Sequence, residues 1–182
     1  MLHLTIPKQE FYDEKRGEFF TKGPYKLTME HSLLSISKWE SKWEKPFLNN
    51  TEDKTSEELY HYFKCMTVNG KDDDDGIYYL FTNEQIEQIN DYISAPMTGT
   101  KFYNFQDGKS PSNRPISSEE IYYKMFSYNI PMECQKWHIN RLLTLLRVFD
   151  VKNDDHKMSK AEASAAYRKL NAERRKKMNS KG

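Results

Sequence analysis

Hydrophobic and polar residues alternate with a period of two in the first 30 positions. Leu2, Leu4 and Ile6 alternate with polar neighbours, and a second run around Leu27 and Met29 repeats the pattern. This period is typical of half-buried strands, because successive side chains of a strand point to opposite faces. Glycine and proline residues between the two runs favour a turn. Residues 1–30 are therefore predicted to form a β-hairpin or a small antiparallel sheet.

Beyond residue 31 the apolar positions recur at helical spacing. In the stretch 32–45, Ile36, Trp39 and Trp43 fall on one helical face, although its serines leave a strand open for the first half. Four later helices are predicted from capping boxes, in which a hydroxyl residue is followed three positions on by an acid or amide. The four boxes are Thr55 with Glu58, Thr82 with Gln85, Ser117 with Glu120, and Ser159 with Glu162.

The longest helix is predicted over residues 131–149. Pro131 suits the first turn of a helix, and an apolar stripe that includes Cys134 and Leu142 follows it. The segments between the helices are predicted as an acidic turn (72–75), a strand (76–81), a loop pinned by Phe102, Tyr103 and Phe105 (96–116) and a polar joint (150–158). A short strand within the loop 96–116 is left open.

These elements predict an α+β fold that is mostly α. An N-terminal β-hairpin or small antiparallel sheet is followed by a bundle of about five to six helices. Residues 1–158 are predicted to form a single compact domain, in which 1–30 are β-rich and 31–158 are mainly helical. Residues 159–182 are predicted to form a basic C-terminal helix that is weakly docked or flexible, because its apolar face is thin.

Charge divides the chain unevenly. The formal net charge is +1, so the molecule as a whole carries no field that would attract nucleic acid or a membrane. Residues 160–182, however, contain eight Lys or Arg against two acidic residues. The cluster Arg174, Arg175, Lys176 and Lys177 is therefore a candidate partner-binding surface. Its alternatives are a solvated tail and a contact with nucleic acid, which phosphate binding by basic residues would allow.

The start of the chain and its cysteines predict an intracellular protein. No signal-peptide pattern is visible after Met1, and no apolar run reaches the roughly 20 residues that a transmembrane helix needs. Cys65 and Cys134 are the two cysteines, and both are interpreted as buried free thiols. A reducing cytoplasm is the expected compartment, with no membrane partner.

Candidate chemistry is sparse. The five His residues are scattered without the spacing that metal ligands require, and the run 72–75 lacks the ligand pattern of a calcium loop. No glycine-rich phosphate loop or nucleophile elbow occurs. Cys134 and His138 stand four residues apart on one predicted helix, but we interpret them as a core thiol beside a half-buried histidine. The sequence predicts no catalytic, cofactor-binding or metal site, and hence a protein that is not an enzyme.

Three aromatic residues form the other candidate partner-binding surface. Trp39, Trp43 and Phe47 lie close together in sequence, and tryptophan is enriched at the centres of protein interfaces. Tryptophan is also highly buried on average, so the alternative is that the three residues belong to the core.

Three segments resemble small proteins encoded among the tail genes of tailed bacteriophages, which are described as tail assembly chaperones. The segments are EHSLLSISKWESKWEKPFL (30–48), IPMECQKWHINRLLTLLR (130–147) and LNAERRKK (170–177). Together they cover about a quarter of the chain.

The resemblance implies a non-enzymatic assembly factor in the host bacterial cytoplasm that is absent from the mature virion. Its expected partners are the tape measure protein and the tail tube protein, and a homo-oligomer is a further possibility. The first alternative is a structural tail or connector component of the virion. The second is a nucleic-acid-binding module that uses the basic C-terminal tail.

Overall fold

The computed structural model describes residues 1–49, 53–70, 75–101 and 114–154, together with the single helical positions Ser164, Arg168 and Asn171. It confirms an α+β fold that is mostly α, with four N-terminal strands followed by five α-helices and two 3-10 helices in the described residues.

The strands form two antiparallel pairs. They are β1 (Leu2–Ile6), β2 (Gln9–Asp13), β3 (Glu18–Lys22) and β4 (Tyr25–Met29). β1 pairs with β4, and the alternate residues Leu4, Ile6, Leu27 and Met29 are buried, which confirms the predicted period of two. β2 and β3 form a nested hairpin that the sequence did not predict, since the adjacent aromatics of each strand break the alternation.

The two strand pairs are separate because the ladder is interrupted at Pro7 and Pro24. Proline has no N–H to donate to a ladder. Gly23 has φ +87°, and a Cβ at this position would lie 3.0 Å from the Pro7 carbonyl oxygen. Only glycine takes up that conformation in that space without strain. The β2–β3 hairpin is therefore a ribbon of its own.

Four of the five α-helices begin at or near the predicted signals, and the fifth begins later than predicted. They are α1 (Leu33–Trp43), α2 (Ser56–Met66), α3 (Asn83–Ser94), α4 (Ser118–Ser127) and α5 (Ile139–Asp154). Thr55 with Glu58 and Thr82 with Gln85 form the predicted capping boxes, and Ser32 with Ser35 forms a third at the start of α1. The strand alternative for the first half of residues 32–45 is therefore wrong.

The capping box predicted at Ser117 is wrong, although α4 starts there. Ser117 makes no side-chain cap hydrogen bond. The Ser118 N–H donates instead to the Glu40 carboxylate of α1 at 2.7 Å, so a buried acid from another helix replaces the local cap. The box of Ser159 and Glu162 lies outside the described residues.

The single helix predicted over 131–149 is also wrong. Met132–Lys136 is a 3-10 helix, the chain is extended at Trp137, and α5 begins only at Ile139. His138 forms an isolated β-bridge with Ser32, and the Ile139 N–H donates to the His31 carbonyl at 2.7 Å. These contacts with the start of α1 break the helix. α5 continues to Asp154, where a polar joint was predicted from 150; residues 155–158 lie outside the described residues.

The strand predicted over residues 76–81 is a 3-10 helix, Asp75–Leu80. The consecutive residues Ile77 and Tyr78 are both buried, which a strand with one solvent-facing side would not allow. In the loop predicted over 96–116, Ile116 forms a β-bridge with Leu48, and Phe102, Tyr103 and Phe105 lie outside the described residues. Of the predicted acidic turn (72–75), only Asp75 is among the described residues.

The chain divides into two compact units, Met1–Thr144 and Leu145–Gly182. The predicted boundary at residue 158 lies outside the described residues and stays a prediction. Within the first unit, the largest fully buried side chains include Trp39, Tyr62 and Phe63. Of the helices in the described residues, none is both long enough and apolar enough to cross a membrane.

Candidate functional site

Trp39, the first of the three predicted contact aromatics, is a core residue. Its side chain is 0 % exposed, and its Nε1–H donates to the Glu58 carbonyl oxygen at 2.8 Å. The Phe47 ring meets it edge-on, with centroids 5.1 Å apart. Because the ring has no accessible surface, the part of the prediction that makes Trp39 an exposed contact is wrong.

Trp43 and Phe47 are half-buried and reach the surface. The Trp43 Nε1–H donates to His61 Nδ1 at 3.2 Å, and the Lys42 ammonium lies 5.1 Å from the Trp43 ring centroid. Phe47 stacks on Tyr62 with centroids 4.0 Å apart. The three aromatics therefore run from the core to the surface, where Lys42 lies over the Trp43 ring and Lys54 over the Phe47 ring.

Three adjoining depressions lie along helices α1 and α2, beside Trp43, whose indole N–H donates to the wall residue His61. They enclose about 130, 470 and 270 Å³, and each shares wall residues with the next. We call them together the α1–α2 groove. Its principal wall residues are Lys38 and Lys42 of α1, His61 and Lys64 of α2, and Tyr78 and Tyr79 of the first 3-10 helix.

The α1–α2 groove combines positive charge with exposed aromatic surface. Lys38 and Lys42 are exposed, and Lys64 is half-buried, whereas the acidic wall residues are Glu57 at one end and Glu30 at the other. Tyr79 is 60 % exposed and lies against Tyr60, with centroids 4.4 Å apart. Such a surface offers apolar contact area and an attraction for negative charge at the same place.

Comparisons with protein-family models, curated proteins and solved structures give no match.

The two cysteines are free thiols in different surroundings. Cys134 is buried as predicted, but Cys65 is half-buried in the wall of the α1–α2 groove, which corrects its prediction. Burial raises the pKa of Cys65 to about 11, although the ammonium groups of Lys38, Lys42 and Lys64 lower it in part. Its Sγ lies 3.7 Å from His61 Nδ1. At neutral pH the thiol is protonated, which disfavours nucleophilic chemistry.

Cys134 and His138 do not share a helix face, because the 3-10 helix ends before His138. The His138 Nε2–H donates to the Tyr92 carbonyl at 2.9 Å, and its Nδ1 accepts the Asn140 N–H at 3.3 Å. Burial raises the pKa of the Cys134 thiol. The histidine is thus fixed as a neutral tautomer that joins α3 to the start of α5.

Among the described residues, no group of three His, Cys, Asp or Glu side chains could hold a metal ion. The second predicted partner surface, Arg174, Arg175, Lys176 and Lys177, lies outside the described residues.

The sequence did not predict a buried polar network that includes Glu30, a wall residue of the groove. His31 Nδ1 and the Tyr62 hydroxyl are hydrogen-bonded at 2.5 Å, and the His31 and His138 ring centroids are 5.1 Å apart. The Tyr92 hydroxyl donates to Glu30 at 2.6 Å. The sequence signal for this network is the pair Glu30 and His31, which stands between an apolar strand and an apolar helix. Polar residues buried at such a junction need hydrogen-bond partners, so the pair indicates a buried polar network.

The histidine pair makes stability depend on pH. Burial, and secondarily His138, lowers the pKa of His31 to about 3, below its unfolded value of about 6.5. Because its pKa is lowered, His31 binds fewer protons in the folded state than in the unfolded state. Its contribution to the free energy of unfolding is therefore fully present above about pH 6.5 and is lost as the pH falls toward 3. At pH 4 we expect His31 to contribute a loss of about 3 kcal/mol in the free energy of unfolding.

Urea unfolding of the wild type and of His31→Gln at pH 7 and pH 4 measures this contribution. The loss between the two pH values should shrink in His31→Gln and stay unchanged in His3→Gln, which replaces an exposed histidine. An equal loss in the wild type and His31→Gln would contradict the assignment.

Proposed function

We propose that this protein is a tail assembly chaperone that holds a helical segment of the tape measure protein in the α1–α2 groove. It works in the cytoplasm of the host bacterium without catalysing a reaction, helps to recruit tail tube subunits and is not retained in the mature virion. The family assignment rests on the resemblance of residues 30–48, 130–147 and 170–177 to such proteins. The binding site rests on the geometry of the groove.

The single observation that carries the binding site is that Tyr79 and the lysines line one groove, with Trp43 beside it through its hydrogen bond to His61. Amphipathic helices are recognised by grooves in which large side chains cover the apolar face of the helix. Tyr79 and the exposed edge of Trp43 provide that area, and tyrosine and tryptophan are the residue types that dominate binding energy at interfaces. A short helical segment of the client fits a groove of this kind.

The charge of the groove specifies the client segment further. Lys38 and Lys42 project from one helix and Lys64 from the other, on both walls of the groove. A client helix with acidic residues flanking its apolar face would be attracted to these ammonium groups, and the attraction would weaken with salt. The proposed occupant is therefore an acidic amphipathic helix of the tape measure protein.

Replacement of Trp43 tests the proposal. We expect Trp43→Ala to weaken the binding of a labelled tape measure fragment by at least about tenfold, as for a central interface aromatic. Tyr79→Ala should also weaken binding, with only a small loss of stability, since this ring is 60 % exposed and loses only its contact with Tyr60. Fluorescence anisotropy gives the affinities, and melting curves by circular dichroism separate binding from folding.

Two matched controls sharpen this test. Tyr123→Ala removes an aromatic ring that is 73 % exposed on α4 and should bind like the wild type. The double variant Lys38→Glu, Lys42→Glu should weaken binding, whereas Lys124→Glu on α4 should not. Unchanged affinity in both Trp43→Ala and Tyr79→Ala would refute the site. Salt-sensitive binding of a single-stranded oligonucleotide by the same lysines, without fragment binding, would favour the nucleic-acid alternative, since lysines and exposed tyrosines also suit single strands.

A further inference from the structure

The β2–β3 hairpin leaves a large aromatic surface exposed, even though its aromatic rings contact one another across the two strands. Phe19 is 71 % exposed, Tyr12 is 54 % exposed and Phe20 is 43 % exposed. Tyr12 lies against Phe19 and Phe11 against Phe20 across the hairpin, with centroids 4.9 and 5.6 Å apart. A two-stranded hairpin on its own is marginally stable in water. Additional strands or a covering surface would stabilise it.

Among the described residues, no other strand pairs with either outer edge of this hairpin. In the described part of the chain, β2 pairs with β3 alone and β3 with β2 alone. A two-stranded sheet therefore presents a row of backbone N–H and C=O groups on each outer edge, and such an edge is a template for another strand. β3 has no proline that would blunt its edge.

The sequence of β3 is complementary to itself in one register. We propose that β3 pairs antiparallel with β3 of a second copy of this chain, about a two-fold axis at Phe20. This register places Glu18 opposite Lys22 of the second copy, Phe19 opposite Thr21, and Phe20 opposite its own equivalent. Opposite charges and aromatic pairs at directly facing positions stabilise a sheet, and each two-fold contact occurs twice.

The pairing within the hairpin adds a reason for this register. Asp13 lies directly opposite Glu18, and like charges at facing positions destabilise a sheet. Lys22 of the second copy would lie beside Glu18 and offset that repulsion. The Phe11 and Phe20 rings, which share one face of the hairpin, would continue across the axis into the Phe20 and Phe11 rings of the second copy. One face of the resulting four-stranded sheet would carry a row of four aromatic rings.

The other self-pairings of these two strands about a central residue lack this complementarity. Self-pairing of β2 about Phe11 would set Gln9 opposite Asp13 and Glu10 opposite Tyr12, with no pair of opposite charges. Moving the β3 axis from Phe20 to Phe19 or Thr21 would separate Glu18 from Lys22. The strand has five residues, so the contact is smaller than the roughly 1,200 Å² of a stable interface. The dimer is accordingly weak and depends on concentration.

Sedimentation equilibrium of the full chain over a hundredfold range of concentration tests the proposal. The wild type should show a monomer–dimer equilibrium. Glu18→Lys places two lysines opposite each other and Lys22→Glu places two glutamates, so each variant alone should dimerise at least tenfold more weakly. An equimolar mixture of the two variants restores both opposite-charge contacts and should regain the wild-type affinity as a heterodimer. Glu10→Lys, the same charge change on β2, should dimerise like the wild type.

The mixture also controls for misfolding, because a heterodimer forms only if both variants are folded. Heterodimer formation in the mixture supports the register centred on Phe20, and it also shows that both variants keep a folded hairpin. A wild type that stays monomeric throughout would overturn the proposal. So would single variants that dimerise like the wild type, or a mixture that dimerises no better than its components.

Discussion

Trp39→Ala is expected to lower the free energy of unfolding by about 3–5 kcal/mol, the usual cost of replacing a buried tryptophan by alanine. The side chain is 0 % exposed and packs against Phe47, so its removal opens a cavity. The Glu58 carbonyl also loses its 2.8 Å hydrogen bond from the indole. Urea unfolding followed by circular dichroism gives the value.

Trp43→Ala is the matched control, since it removes the same side chain one helical turn later. Because Trp43 is half-buried, the loss of stability should be less than half of that in Trp39→Ala. Equal losses in the two variants would place both rings in the core. They would also remove Trp43 from the proposed binding surface.

Glu40→Ala is expected to cost about 3 kcal/mol of stability, since each orphaned buried donor costs about 1–3 kcal/mol. One Glu40 oxygen accepts the Phe47 N–H and the other the Ser118 N–H, each at 2.7 Å. Ser118 is fully buried at the start of α4, so water does not replace the lost acceptor. The carboxylate therefore joins α1 to two other segments of the chain, and urea unfolding measures its contribution.

Glu40→Gln keeps the size of the side chain but changes its hydrogen bonding, so it measures the contribution of the hydrogen bonds alone. The glutamine carbonyl accepts one of the two N–H groups, but its amide NH₂ cannot accept the other, so about half of the alanine loss should remain. Glu87→Ala, an exposed position on α3, should change stability by less than about 0.5 kcal/mol. A Glu40→Gln variant as stable as the wild type would show that only one of the two bonds matters.

The features that were predictable from sequence are those with local causes. The burial of Leu4 and Leu27 follows from alternation within five residues, and the capping boxes of Thr55 and Thr82 act over three residues. Such signals need no knowledge of the rest of the chain. They were sufficient for the fold class and for the starts of α2 and α3.

The features that were not predictable depend on residues far apart in sequence. Glu40 replaces the local cap of Ser117 across 78 positions. The bridge between Ser32 and His138 breaks a segment whose local pattern is that of one helix. Local rules do not include such long-range contacts, so they predict one uninterrupted helix over 131–149.

The candidate site was predictable only in part, for the same reason. Trp43 was identified from its place beside Trp39, but the groove needs Tyr79, which the first 3-10 helix brings beside Tyr60 of α2. Lysines on two helices became one surface only through the packing of α1 on α2. The α1–α2 groove is thus a property of the fold.

Site-specific photo-crosslinking during phage infection tests the central claim most directly. A photoreactive phenylalanine analogue would replace Tyr79 in the α1–α2 groove or, as a control, Tyr123, which is 73 % exposed on α4. We expect the analogue at position 79 to crosslink to an acidic helical segment of the tape measure protein, identified by mass spectrometry, and the analogue at position 123 not to do so. A tape measure crosslink from position 123 alone, or from neither position in infected cells that assemble tails, would contradict the assignment of the groove.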